Sequence, residues 1–389
     1  MANTILISAI TIVDAASGTF TGDIFIENGK IIEVAARIDR NADIHIDAAN
    51  KNWNALPGFI DVHIHGAAGF DAMDATQEAL AGIAAALPKE GTTSFLATTM
   101  TQSESAISKA LQNASRFAAS EGQAEMLGVH LEGPFISTKR AGAQPLEHIT
   151  EPSIEQFSRW QKKSGDRIKL VTVAPEVENG LDFIEAIAKS GVVPSIGHTD
   201  ATFENVQEAV QKGASHVTHL YNQMSPLHHR NPGVVGASLL ENALTVELIA
   251  DFIHSHPKSV ELAFRQKGAG RMMLITDAMR AKGLEPGMYD LGGQEVRVTE
   301  KDARLSDGTL AGSILTMDEA VKNVAELTGC TLSELVAMTS ANAAKELRLE
   351  QKGSIEKGKD ADITILDEQF NVQLTICRGT IAYSKEELS

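Results

Sequence analysis

Short apolar runs recur along the middle of the chain, and each closes on a polar residue or a turn. They are FIDVHIH (59–65), TTSFLATT (92–99), MLGVHLEG (126–133), IKLVTVAPE (168–176), VVPSIGHTD (192–200), SHVTHLYN (215–222), TVELIAD (245–251) and MMLITDA (272–278). Runs of this length bounded by turn residues read as buried strands. Between most of them the apolar period changes to that of a helix, as in TQEALAGIAAALPKE (76–90), ESAISKALQNASRFAAS (104–120) and TFENVQEAVQKG (202–213). The repeat is about 30 residues long, the size of one strand–helix–strand unit. Eight such repeats predict an α/β fold, a (β/α)8 TIM-like barrel. The rival is an open doubly wound sheet, but no glycine-rich dinucleotide fingerprint follows the first strand.

The two ends of the chain pattern differently. TILISAITIVD (4–14) is β-rich, and DIFIENGKIIEVA (23–35) places Asn28-Gly29 between two apolar runs, a hairpin signal. GSIEKGKDADITILDEQFNVQLTICRGTIAYS (353–384) returns to strand patterning. The prediction is a small β-sandwich domain formed by both chain ends, residues 1–55 and 347–389, around a barrel domain of residues 56–346.

In a (β/α)8 barrel, chemistry sits at the C-terminal ends of the strands. Read in order, those ends carry His63 and His65, Thr98, Glu132, Glu176, His198, His219, Asp251 and Asp277. In an extended strand, residues two apart share a face, so His63 and His65 point the same way while Val62 and Ile64 point the other. Imidazole and carboxylate are the usual ligands of catalytic divalent ions. Glu132, His198 and His219 supply one set, and His63 and His65 complete it or hold a second ion. A lone histidine at a strand end is ordinarily a polar cap, but independent caps would not favour His and Glu so consistently at one barrel face. Glu176 follows a proline in a loop and is left out. His130 shares the inward face with Glu132 and reads better as a support for the ligands than as a ligand. Asp277 closes the last strand, where a carboxylate can take a proton from water and deliver it to a leaving group. A helix cap or a ligand role is the alternative.

Charge changes the picture in one respect. Lys+Arg total 34 against 51 Asp+Glu, a net charge of −17, which argues against nucleic acid and anionic lipid as partners. A basic loop, SPLHHRNPG (225–233) with Arg230, and DFIHSHP (251–257) with His254, therefore stand out as places for a small anion. The cysteines, Cys330 and Cys377, match no metal or redox spacing and suit a reducing cytoplasm. The start, MANTILISAITIVD, has no signal-peptide pattern, and no apolar run approaches about 20 residues, the length of a membrane span.

Taken together, PGFIDVHIHG (57–66), the middle-strand carboxylate, His at strands five and six, Asp at strand eight and GSIEKGKDADITILD (353–367) resemble the amidohydrolase superfamily. Most of that superfamily carries a carbamylated lysine where this chain has Glu132. With HLEGPF, KRAGAQ, IGHTDA, THLYNQM, ITDAM and LAGS in order, the chain resembles the N-acetylglucosamine-6-phosphate deacetylase family within it. The resemblance implies hydrolysis of the acetamide of N-acetyl-D-glucosamine 6-phosphate to D-glucosamine 6-phosphate and acetate, in amino-sugar catabolism. It implies Glu132, His198 and His219 as primary metal ligands, His63 and His65 at a second site, and Asp277 as general base and acid. It further implies substrate contacts at Ala143, Asn222, Gln223, Arg230, His254, Leu310, Ala311 and Gly312. The cofactor it implies is one or two divalent ions per subunit, zinc first, with iron, manganese, cobalt or nickel as alternatives. The implied assembly is a cytoplasmic homodimer or homotetramer, with Arg230 reaching its own or a neighbouring site. A cyclic-amide hydrolase or deaminase of the same superfamily is the rival enzyme, and Glu132 and the basic loop speak against it. A non-catalytic sugar-phosphate sensor is the rival from another class, and it would have little need of Asp277.

Overall fold

The computed structural model describes residues 4–16 and 18–386, so the outermost three residues of the predicted terminal domain at each end lie outside the described residues. Eight parallel strands form one sheet in chain order: β1 Phe59–Ile64, β2 Thr92–Thr99, β3 Glu125–Glu132, β4 Ile168–Val173, β5 Val193–Ile196, β6 His216–Val217, β7 Thr245–Ile249 and β8 Met272–Ile275. The amide of Asp277, just past β8, donates to the carbonyl of His63 at 2.8 Å, and Ile64 bridges to Ala278. These contacts close the sheet into the barrel that the eight apolar runs predicted.

The strand pleat sorts the side chains. Val62, Ile64, Leu131, Val171, Val173, Ile196, Val217 and Leu248 join the apolar core. The alternating His63, His130, Thr172, Thr218 and Glu247 are equally buried and bond to one another or to their neighbours inside the barrel. Helices around the outside begin on side-chain caps: Thr76 before Gln77–Ala86, Ser103 before Glu104–Arg116 and Thr202 before Phe203–Gln211. The second of these ends earlier than the predicted residue 120, because Phe117 turns extended and is buried.

β5 and β6 are also shorter than their apolar runs. His198 and His219, which follow them, have φ of +46° and +29°, and Asp277 after β8 has +48°. These left-handed conformations are unusual for residues with a Cβ and cost about 1–3 kcal/mol each. They break the strand and swing a functional side chain over the barrel mouth.

Both chain ends build a second sheet. Its order is Thr380–Ser384, Val372–Cys377, Ile363–Leu366, Asn54–Pro57, Thr4–Asp14, Gly18–Glu27 and Lys30–Ala35, with Ile44–Asp47 pairing beside Thr4–Asp14. Hydrogen bonds link all these strands into one sheet, and an isoleucine-rich cluster of its own packs against it. Asn28 and Gly29 turn the predicted hairpin, both with positive φ. Lys352 pins this sheet to the barrel: its ammonium lies 2.7 Å from Glu125 at the start of β3, 2.5 Å from Asp362 and 3.2 Å from Asp360. The acidic cluster there thus holds a built-in cation.

A three-stranded flap, Gly287–Leu291, Gln294–Val298 and Ala303–Arg304, follows β8 and was not foreseen from the sequence. Gln294 Nε2 donates to the carbonyl of Ala143 at 2.6 Å, and Gln102 Nε2 donates to Gly292 at 3.0 Å. The flap is thereby fastened to the loops after β3 and β2.

Candidate metal centre

Six buried side chains from five strand ends converge at the barrel mouth. Glu132 Oε1 lies 3.3 Å from each of three imidazole nitrogens, the Nε2 atoms of His63, His198 and His219. Its Oε2 lies 3.3 Å from His65 Nε2. Asp277 Oδ1 lies 3.3 Å from His63 Nε2 and 3.2 Å from His65 Nε2. Two compact donor groups result, Glu132 with His198 and His219, and Asp277 with His63 and His65, each with its donor atoms within 4.8 Å of one another.

Several observations test whether these residues fit a divalent ion. A tetrahedron with bonds of about 2.0–2.1 Å to nitrogen and oxygen has edges of about 3.3–3.4 Å, which is the spacing between Glu132 and its imidazole neighbours. His63 Nε2 is buried and makes no hydrogen bond, although two carboxylate oxygens lie near it. Its other nitrogen, Nδ1, donates to Glu247 at 2.9 Å, and His198 Nδ1 donates to the carbonyl of Arg140 at 2.9 Å. Each bond fixes the ring so that Nε2 is presented to the centre. The donor set fits.

The electrostatics agree. Burial opposes the charge on Glu132, yet His63 and the bonds from His198 and His219 hold it well below the usual carboxylate range. Asp277 is likewise held low, against burial, by His63 and His65. Burial also opposes a charge on His65, but bonds to Asp277 and Glu132 push it up to about 10. The two carboxylates thus demand positive charge, which protons supply here and a divalent ion would supply instead.

His130 forms a further compact group with His63 and Glu247. Its Nε2 meets the hydroxyl of Thr172 at 2.7 Å, and burial, with the charge of His63, pushes its pKa down to about 3. It stays neutral with its ring 4.5 Å from that of His63. Glu176 accepts from the hydroxyl of Thr199 and from the amide of Asp200, fixing the loop after His198. Asp251 binds His254 Nδ1 at 2.6 Å.

Above the centre is a cavity of about 370 Å³, within the range of small-molecule sites. Its walls include Ala143, Asn222, Gln223, His254, Leu310 and Gly312. Ala311 instead points into an apolar cluster with Met100, Met279 and Leu291 and serves to place its neighbours. Arg230 lies outside this cavity, on an exposed turn where its Nη1 meets His229 at 2.7 Å.

Sequence reasoning missed three residues. Gln144 takes the amide of Thr101 on its Oε1 at 2.7 Å and gives its Nε2 to Glu132 at 2.8 Å, which orients the carboxylate. Glu247, fully buried, bonds His63 Nδ1, His216 Nε2 at 3.0 Å and the amide of His219 at 3.0 Å, and so joins both donor groups. A charged residue inside the apolar run TVELIAD was the available signal, because a buried charge must have a partner. Arg304 lines the cavity from the flap. Glu247→Gln is expected to weaken retention of the bound ion by about 10–100-fold, measured by competition with a chelator. Unchanged retention would remove Glu247 from the support of the centre.

Residues 54–382 match the model of the amidohydrolase family. An N-acetylglucosamine-6-phosphate deacetylase of Lysinibacillus sphaericus is 52% identical over 378 residues, 97% of each chain. The enzyme of that name from Bacillus subtilis is 47% identical over 392 residues, covering 100% of this chain and 99% of its own. Among solved structures, a variant of N-acetyl-D-glucosamine-6-phosphate deacetylase from Mycobacterium smegmatis, in complex with N-acetyl-D-glucosamine-6-phosphate, superposes with a TM-score of 0.91 at 28% identity, covering 98% of this chain and 100% of its own.

Proposed function

Because this chain belongs to the amidohydrolase family, we propose that it hydrolyses the acetamide of N-acetyl-D-glucosamine 6-phosphate, giving D-glucosamine 6-phosphate and acetate in amino-sugar catabolism. One observation carries the reading: Glu132, His198 and His219, distant in sequence, meet with Asp277, His63 and His65 beneath one cavity. Relatives bearing that activity, similar from end to end, support it.

Glu132, His198 and His219 would hold the primary ion, and His63 and His65 with Asp277 a second. When bound, a divalent ion polarises the scissile carbonyl and acidifies a water molecule. Asp277 carries the proton. Its Oδ1 faces the histidine pair, while Oδ2 has no protein partner among the described residues and is free to meet water. Held as an anion, Asp277 accepts a proton as the water oxygen attacks the amide carbon. It returns that proton to nitrogen as the C–N bond breaks, so one carboxylate serves as base and then as acid. Ala143, Asn222, Gln223, His254, Leu310 and Gly312 hold the sugar, and binding energy from the remote phosphate positions the acetamide. Zinc suits the mixed nitrogen and oxygen donor set. The reading includes a cytoplasmic homodimer, in which the exposed Arg230 contacts substrate from a neighbouring subunit.

The test is acetate release from the phosphorylated sugar. Stoichiometric acetate and amine are expected, abolished by a chelator and restored by zinc. Release that survives full removal of metal would contradict the reading.

A further inference from the structure

We propose that Asp61 is a positioning residue that holds the proton-carrying Asp277 over the centre, acting through Thr276; this rests on the function proposed above. Asp277 needs such a device. It is placed by a left-handed backbone with φ of +48°, and a strained conformation of this kind persists only where its surroundings over-determine it. It also stands at the seam where the sheet closes. β8 pairs along its length with β7, whereas toward β1 there is no ladder among the described residues, only the bridge between Ile64 and Ala278.

Asp61 spans that seam from β1, two residues before His63. Its Oδ2 accepts from the hydroxyl of Thr276 at 2.6 Å, and its Oδ1 accepts from the amide of Thr276 at 3.4 Å and from the amide of His63 at 3.2 Å. One carboxylate thus grips the residue before Asp277 and the histidine that faces Asp277. Asp61 is fully buried. Burying a carboxylate is costly, and here its bonds fix backbone on both sides of the seam. The other side of the segment is held by Ser313, which follows the cavity residue Gly312. Its amide donates to the carbonyl of Asp277 at 2.8 Å, its hydroxyl donates to the carbonyl of Thr276, and its carbonyl accepts from the amide of Met279 at 2.9 Å. Thr276 and Asp277 are clamped between Asp61 and Ser313, and Asp277 Oδ1 then falls 3.3 Å from His63 Nε2 and 3.2 Å from His65 Nε2. Releasing the Asp61 side of the clamp frees the strained φ to relax and swings the carboxylate away from the histidine pair.

The experiment measures kcat, KM and metal content of metal-loaded wild type, Thr276→Val, Asp61→Asn and Asp61→Ala, repeats Thr276→Val in the Asp277→Asn background, and determines the crystal structure of Thr276→Val. Thr276→Val keeps the side chain's shape and removes the hydroxyl that Asp61 holds. It is expected to lower kcat by about 10-fold, and Asp61→Ala by about 100-fold, with KM little changed and the ion at Glu132, His198 and His219 retained. Asparagine, which keeps an oxygen for the two amides, should restore part of the loss. In the Asp277→Asn background Thr276→Val should cost nothing further, because the group it positions is gone; a merely structural role would cost the same in both backgrounds. In the Thr276→Val crystals the Asp277 carboxylate is expected to leave its place beside His63 and His65. An unmoved carboxylate, or an equal loss in both backgrounds, would overturn the proposal. Should Asp61→Ala not fold, Thr276→Val decides on the same readouts. A displaced carboxylate in Thr276→Val, with a wild type that releases no acetate, would defeat the deacetylase reading and spare the clamp. Acetate release by the wild type with the carboxylate unmoved in Thr276→Val would do the reverse.

Discussion

Replacing Asp277 with asparagine is expected to lower kcat by about 10³-fold or more while the ion held by Glu132, His198 and His219 stays in place. The side chain keeps its shape, and the neutral oxygen can still lie beside His63 and His65, which now face Asp277 Oδ1 at 3.3 and 3.2 Å. What is lost is the ability to accept a proton. Because the same carboxylate is required to receive the proton from water and to deliver it to nitrogen, the loss falls on both bond-making and bond-breaking. KM should change little, since the sugar contacts lie elsewhere in the cavity. Steady-state kinetics with metal analysis on the same sample decide the matter. A variant within about tenfold of wild type would show that another group moves the proton.

Glu132→Gln is expected to fail differently, losing the ion and the activity together. Glu132 Oε1 is the one atom that lies 3.3 Å from imidazoles of both donor groups. Without its charge, four buried rings share the centre with no carboxylate there beyond Asp277. A neutral amide is a poor ligand, and its NH2 group would point a donor at nitrogens that must themselves donate electron pairs. Metal content is expected to drop below about one-tenth of an equivalent after dialysis, and turnover to fall to the chelated background. Full metal content with activity lost would move Glu132 from ligand to catalyst. Paired with Asp277→Asn, this variant separates holding the ion from moving the proton.

The sequence carried much of this picture, and its gaps have physical causes. β2, at Thr92–Thr99, matches its apolar run residue for residue, with β-branched threonine pairs at both ends and Phe95 between them favouring a strand. β6 shrinks to His216–Val217 because the backbone turns left-handed at His219, and a histidine gives no local warning of that conformation. The site residues were legible where strand ends could be read in order, since the fold itself brings those ends together. Glu247 was hidden because its meaning lies in a partner far along the chain, His63 across 184 residues, and the flap that carries Arg304 is fastened by Gln294 to Ala143 across 151. Arg230 stands out in the sequence as a place for a small anion, and it lies on an exposed turn outside the cavity lining.

The most direct test is anomalous diffraction from crystals of the zinc-loaded protein, recorded on either side of the metal's absorption edge. The arrangement described here predicts a peak enclosed by Glu132 Oε1, His198 Nε2 and His219 Nε2 in protein that releases acetate. Active protein whose only anomalous peaks lie away from those three atoms would contradict it.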